Sequence, residues 1–109
     1  MPKKAMENLT ESMFYVLMAL EQKAMCGISI AEFIDRRTKK RVRIGPATLY
    51  TILGKFEAEK YIREVAVDGR KRTYCITEKG RDAYQQERER LRCCLRDAEQ
   101  EAAEREEKI

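Results

Sequence analysis

Thr48, Thr51 and Lys55, with Tyr50 among them, stand in the stretch GPATLYTILGKFEAEKYI that runs from Gly45 to Ile62. Residues three and four apart share one face of a helix, so this face would offer two hydroxyls with their methyl groups and an ammonium. Threonine can donate, accept or touch a thymine methyl, while lysine and the tyrosine hydroxyl reach phosphate oxygens. Pro46 and Ala47 open the same stretch, where the free N–H groups of a helical first turn favour an anion. Further along, Arg70, Lys71 and Arg72 directly follow Asp68-Gly69. Cations at the tip of a hairpin can lie along a phosphate backbone or enter a narrow minor groove, whose negative potential attracts arginine. These residue types suit recognition of a polyanion, not turnover of a substrate.

The distribution of charge supports this reading. The formal net charge of +4 divides into −2 over residues 1–35, +9 over 36–81 and −3 over 82–109. A basic segment between acidic flanks, coinciding with both candidate contact stretches, creates a field that steers association with phosphates. An enzyme is disfavoured: the chain has no His, no Gly-rich phosphate loop and no carboxylate pair placed by a motif, so a general base and a metal site both lack a recognisable source. The cysteines at 26, 75, 93 and 94 have no CxxC spacing, which predicts reduced thiols, no metal and no cofactor. The longest apolar run, near Met13 to Leu20, is far short of the roughly 20 residues of a membrane span and its flanks do not resemble a signal peptide. The expected location is the cytoplasm, nucleoid-associated when bound to DNA, with no membrane partner.

The elements that must position these residues follow from periodicity. A length of 109 residues suits one compact unit. LTESMFYVLMAL, from Leu9, reads as a helix apolar on nearly every side, with Asn8 or Thr10 as N-cap; such a helix must be covered all round, and a second subunit would supply part of the cover. Ser29 and Glu32 predict a capping box opening a second helix with Ile30, Phe33 and Ile34 on one face, ending in the basic run Arg36 to Arg41. Val42 to Ile44 is long enough only for an edge strand. Gly45 at the N-cap and Pro46 at the first position restart a helix whose Leu49, Ile52, Leu53 and Phe56 form an inward stripe. Ile62 to Val67 and Arg70 to Thr77 predict a β-hairpin around Asp68-Gly69. Thr77 then caps a last helix whose Tyr84, Leu91, Leu95, Ala98, Ala102 and Ile109 follow a heptad seam, interrupted by Arg88 and Arg105.

Helix, helix, helix, hairpin, helix is the order of a winged helix-turn-helix, a mainly α fold with a small β-hairpin (α+β). Residues 1–80 would form the DNA-binding part and 81–109 the C-terminal dimerisation helix. The stretches GPATLYTILGKFE and DGRKRTYCITEKGR together resemble the PadR family of bacterial winged-helix transcriptional regulators, in its short form with one helix after the wing. The resemblance implies a homodimeric repressor at an inverted-repeat operator in double-stranded DNA, with the last helix packed on the partner's first. Met13, Phe14, Leu17, Tyr84, Leu91, Leu95 and Ala98 are the expected dimer interface, and Phe14, Leu17, Leu91 and Leu95 a candidate pocket for a small apolar effector. The sequence departs from the family pattern at Cys26-Gly27-Ile28-Ser29 and at Lys60, where the family has Gly. The rival reading is a winged-helix module that docks a protein. It would need an apolar or acidic exposed face on the third helix, where this chain has Thr48, Thr51 and Lys55.

Overall fold

A computed structural model describes residues 8–107. Four helices and a small antiparallel sheet follow in the order α1 (Glu11–Gln22), β1 (Met25–Cys26), α2 (Gly27–Arg37), α3 (Pro46–Ala58), β2 (Ile62–Asp68), β3 (Lys71–Ile76) and α4 (Glu78–Glu107). The sheet order is β1-β3-β2, so the hairpin's second strand lies in the middle and ties the two-residue β1 to the wing.

Thr10 is the N-cap of α1, its hydroxyl accepting the Met13 amide at 3.2 Å. Val16, Leu17, Ala19 and Leu20 are buried among Ile30 and Ile34 of α2, Leu49, Ile52, Leu53 and Phe56 of α3, and Tyr61, Ile62, Tyr74 and Ile76 of the sheet region. One protomer therefore covers most of α1 by itself. The all-round apolarity of this helix reflects its central place in the core, and only Phe14, Tyr15 and Met18 remain partly open.

Two sequence expectations shift at α2. Gly27 begins the helix two residues ahead of the expected capping box, with Cys26 as N-cap and no side-chain cap. Ser29 faces back, its hydroxyl 3.4 Å from the Cys26 sulfur. No strand forms at Val42 to Ile44. Val42 is instead held by Thr38, whose hydroxyl accepts the Val42 amide at 3.1 Å and donates to the Ile34 carbonyl at 2.8 Å. The edge strand is Met25–Cys26, paired with Tyr74 and Thr73.

The connections after α2 and α3 use left-handed residues without glycine. After α3, Glu59 is the C-cap and Lys60 has φ +63°. The Tyr61 amide returns to the Phe56 carbonyl at 2.8 Å and the Lys60 amide to the Glu57 carbonyl at 3.0 Å. This is a Schellman motif with Lys at the position glycine favours, completed by the apolar contact between Phe56 and Tyr61 rings 5.8 Å apart. The sequence expectation of a non-glycine residue in a turn that favours glycine is thus met in the geometry. After α2, Lys39 and Lys40 are both left-handed, with φ of 52° and 65°.

The last helix is the longest, with 30 residues, or about 45 Å. Thr77 caps it as expected, accepting the Gly80 amide at 3.1 Å. Gly80, Tyr84 and Glu87 are its buried residues; from Arg88 to Glu107 every position is exposed. Ile109, the end of the expected heptad seam, lies outside the described residues.

Candidate nucleic-acid interface

α3 presents the face its sequence promised. Leu49, Ile52, Leu53 and Phe56 are buried, while Pro46, Ala47, Thr48, Tyr50, Thr51 and Lys55 are exposed. Gly45 is the N-cap and Pro46 opens the helix. Its first turn therefore leaves N–H groups directed outward at the positive end of the helix dipole. The Thr51 hydroxyl donates to the Ala47 carbonyl at 2.9 Å. With its proton engaged, Thr51 shows oxygen lone pairs and a methyl group outward, an acceptor and an apolar contact in place of the donor that a free threonine offers.

Two grooves flank this exposed ridge. On one side Ala47, Thr48, Thr51 and Lys55 share a shallow groove with Thr10, Ser12 and Met13 at the start of α1. On the other, Tyr50 faces Arg70, Lys71 and Arg72 of the wing across the N-terminus of α2. The expected contact residues thus fall into two groups bridged by the helix, and Tyr50 is the member that joins helix to wing.

The wing projects because nothing packs its outer half. From Val65 to Arg72 every residue is exposed, whereas Ile62, Tyr74 and Ile76 anchor the base in the core. A bulge at Val65, between the pairs Glu64 with Tyr74 and Ala66 with Thr73, sharpens the local twist. Asp68 is still in the ladder, paired with Lys71. The turn is Gly69-Arg70, one residue later than the expected Asp68-Gly69, and only Gly69 needs positive φ (+63°), the preference of a type II′ turn. This shift puts Arg70 at the very tip. Lys71 follows on the strand, and Arg72 is drawn back across the hairpin to Glu64 at 3.6 Å. Glu64 was not among the sequence-selected residues. The hairpin register that brings it near Arg72 depends on the bulge, which has no sequence signature here.

The cations of the α2–α3 connection were expected to complement the C-terminal dipole of α2 and were not assigned to DNA. Arg41 is committed to structure, donating to Tyr15 Oη at 2.8 Å and Glu11 Oε2 at 3.3 Å; this pairing raises its pKa further. Arg43 pairs with Asp35 at 3.3 Å. Lys39 and Lys40 are exposed at the tip of the connection. Cys26 is buried at the start of α2. Its thiol pKa is lowered chiefly by hydrogen bonding to Ser29, with the charge of Lys71 acting the same way and burial opposing.

The expected interface residues separate into two sets. Met13, Leu17 and Tyr84 are buried within their own protomer, and Tyr84 stacks on Phe14 with ring centroids 5.2 Å apart. Leu17, fully enclosed by the core, is withdrawn from the expected interface and from the expected effector pocket alike, because α1 is the centre of the core and not its edge. Phe14 is half-buried, while Leu91, Leu95 and Ala98 stand exposed on the free arm of α4.

The profile of the transcriptional regulator PadR-like family matches residues 16–86, a span that runs from the core of α1 through the wing to the buried turns of α4. The chain belongs to the PadR-like family. Its members are transcriptional regulators, not enzymes. Over 77 residues the chain is 31% identical to an uncharacterized 37.1 kDa protein of a Streptomyces fradiae transposon; that match covers 71% of this chain and only 22% of the relative, so the chain spans about a fifth of it. A transcriptional regulator from Clostridium thermocellum has the same fold, with a TM-score of 0.74 at 24% identity over 82% of this chain and 87% of that one. So does a PadR family transcription regulator from Clostridium difficile, with a TM-score of 0.72 at 19% identity over 84% and 97% of the two chains. The four helices and three-stranded antiparallel sheet thus match winged-helix PadR-like structures with a long C-terminal helix. No helix among the described residues is long and apolar enough to cross a membrane.

Proposed function

We propose that this PadR-like regulator binds double-stranded DNA sequence-specifically as a homodimeric repressor, with α3 in the major groove and the wing on the adjacent backbone or minor groove. The carrying observation is the exposed face of α3, where small polar groups and a lysine stand beside a wing whose outer half is free and cationic. A recognition helix needs an apolar stripe behind it and short polar side chains in front, with its N-terminal residues at the base edges. Thr48 and Thr51 are assigned to bases; Pro46 and Ala47 bring the first-turn N–H groups to a phosphate; Tyr50, Lys55, Arg70, Lys71 and Arg72 are assigned to the backbone. The exposed Leu91, Leu95 and Ala98, together with Phe14, supply the contact to a second subunit, so that two copies of α3 read an inverted repeat. Residues 1–80 carry the DNA-binding function and 81–109 the pairing function, in one folded unit.

Fluorescence anisotropy tests this reading, with DNA from upstream of the protein's own gene beside a scrambled duplex over a salt series. The expected result is tighter binding to the upstream DNA and a steep loss of affinity as salt rises, since each phosphate neutralised contributes about 0.9 to the log–log slope. No binding to either duplex at low salt would turn attention to protein docking.

A further inference from the structure

Between the wing and the start of α2 lies a cleft of about 420 Å³, within the roughly 300 to 1,000 Å³ that small-molecule sites occupy. Arg70, Lys71 and Arg72 line it and no carboxylate does. Among the described residues, Arg72 pairs with Glu64 at 3.6 Å, while Arg70 and Lys71 have no ion-pair partner. Facing these cations, beside Cys26, Gly27 and Ser29, stand two large side chains with apolar surface in the open: Ile28 is 72% exposed and Tyr50 58%. A phosphodiester backbone would use the cations, but nothing in a phosphate calls for an isoleucine held in water at the mouth of the cleft. The first N–H groups of α2, which lack a side-chain cap, add positive potential at the floor.

We infer that this cleft binds a small organic anion, with its single carboxylate, sulfonate or phosphate group at Lys71 and Arg70 and a ring-sized apolar body between Ile28 and Tyr50. The site is distinct from the apolar pocket expected at the subunit interface. Resting on the proposed DNA reading, it has a regulatory consequence: Tyr50 and the wing cations cannot hold the ligand and the DNA backbone together, so the anion displaces DNA by direct competition. No movement has to be transmitted from a distant site.

The probe is 8-anilinonaphthalene-1-sulfonate, titrated by calorimetry into the full chain beside its neutral analogue N-phenyl-1-naphthylamine. Expected are one sulfonate bound per protomer and an affinity at least about tenfold lower for the neutral analogue. Ile28→Ser and Lys71→Gln, both at exposed positions, should each weaken the sulfonate by about tenfold or more. Absence of saturable binding, equal affinity for the neutral analogue, or indifference to both substitutions overturns the site. In anisotropy, the sulfonate should raise the half-saturation point of wild-type protein for DNA. The Ile28→Ser protein should bind DNA as wild type does and ignore the sulfonate. DNA affinity unchanged at saturating sulfonate overturns the competition. If the wild type binds no DNA even without sulfonate, the DNA reading fails while the calorimetry still decides the cleft.

Discussion

Gly80 packs directly under the Tyr61 backbone. A Cβ at Gly80 would collide with the Tyr61 carbonyl oxygen, stand 2.8 Å from its carbonyl carbon and touch Ile76 Cγ1 at 3.0 Å. The same carbonyl accepts the Thr77 amide at 2.9 Å, so it cannot move aside without freeing the chain that leads into α4. Gly80 thus sets how closely the last helix approaches the base of the wing.

Gly80→Ala is therefore expected to destabilise the protein by about 1 to 3 kcal/mol, the usual cost of forcing extra volume into a packed site. The obstacle is backbone, which places the change at the upper end. Urea unfolding would show a lower midpoint with an unchanged slope, and a midpoint equal to the wild type would refute the close approach.

Lys60 carries a φ of +63° inside a complete Schellman motif. A left-handed L residue costs roughly 1 to 2 kcal/mol, offset in part by the entropy that glycine loses on folding, about 0.5 to 1 kcal/mol. Lys60→Gly should raise stability by up to about 1 kcal/mol and Tm by a few degrees. Because Lys60 is exposed, loss of its side chain should cost little; a lowered Tm would mean that the side chain has an anchoring role.

The parts of this fold that were legible in the sequence are those fixed by local chemistry. The stripe of Leu49, Ile52, Leu53 and Phe56, the Gly45-Pro46 start of α3 and the Thr77 cap each need only neighbours a few residues away. The misplaced features depend on distant partners. The S-x-x-E of Ser29 and Glu32 looks like a capping box, but pairing of Met25 and Cys26 with β3 fixes where the strand ends, and the helix begins at once. The wing turn moved by one residue because Asp68 finds a ladder partner in Lys71. Leu17 was placed at a subunit interface because an apolar pattern shows that a face is covered without showing which surface covers it. In the contact face, Thr51's back-bond to Ala47 is local, yet which groove each residue lines is decided by distant segments packed beside α3, the start of α1 on one side and α2 with the wing on the other.

Glu87 is 5% exposed and holds Arg90 through two hydrogen bonds, 2.8 Å from Nε to Oε1 and 2.7 Å from Nη2 to Oε2. Hydrogen bonding to Arg90 depresses its pKa, aided by the Arg90 charge and the Leu9 amide and opposed by burial. A depressed folded-state pKa means stability fully present above the carboxylate's unfolded pKa, about 4.3, and lost as pH falls through the folded value. With Arg90 still 43% exposed, solvent screening limits the contribution to about 1 kcal/mol. Glu87→Gln should lower Tm at neutral pH by several degrees and narrow its gap to the wild type in acid. A gap that stays constant with pH would contradict the assignment.

The point where α4 leaves the core defines how pairing can be tested. Removing residues 82–109 would take Tyr84 and Glu87 out of the protomer's own core and confuse unfolding with loss of pairing. A chain ending at Arg90 keeps both residues and loses Leu95, Ala98 and the remaining arm. It is expected to lose only the helical signal of the removed arm, to keep a cooperative unfolding transition, and to sediment as a monomer at concentrations where the full chain sediments as a dimer. A folded, truncated chain that still sediments as a dimer would place the interface elsewhere.

Under the proposed DNA reading, Thr51 and Lys71 separate base reading from backbone holding. Thr51 offers outward an acceptor and a methyl, since its proton is bound to Ala47 at 2.9 Å. Thr51→Val keeps a methyl of the same shape and removes the acceptor, whereas Thr51→Ala removes both. If the contact is to a thymine methyl, Val should retain the preference that Ala loses; if the oxygen accepts from a base amino group, both should lose it, by about 1 to 3 kcal/mol of discrimination. Lys71→Gln, in contrast, should weaken all duplexes alike and lower the salt slope by about 1. Anisotropy on the operator and on single-base variants measures all three. A Lys71 variant that changes sequence preference, or Thr51 variants that bind every duplex as the wild type does, would require the roles of helix and wing to be reassigned.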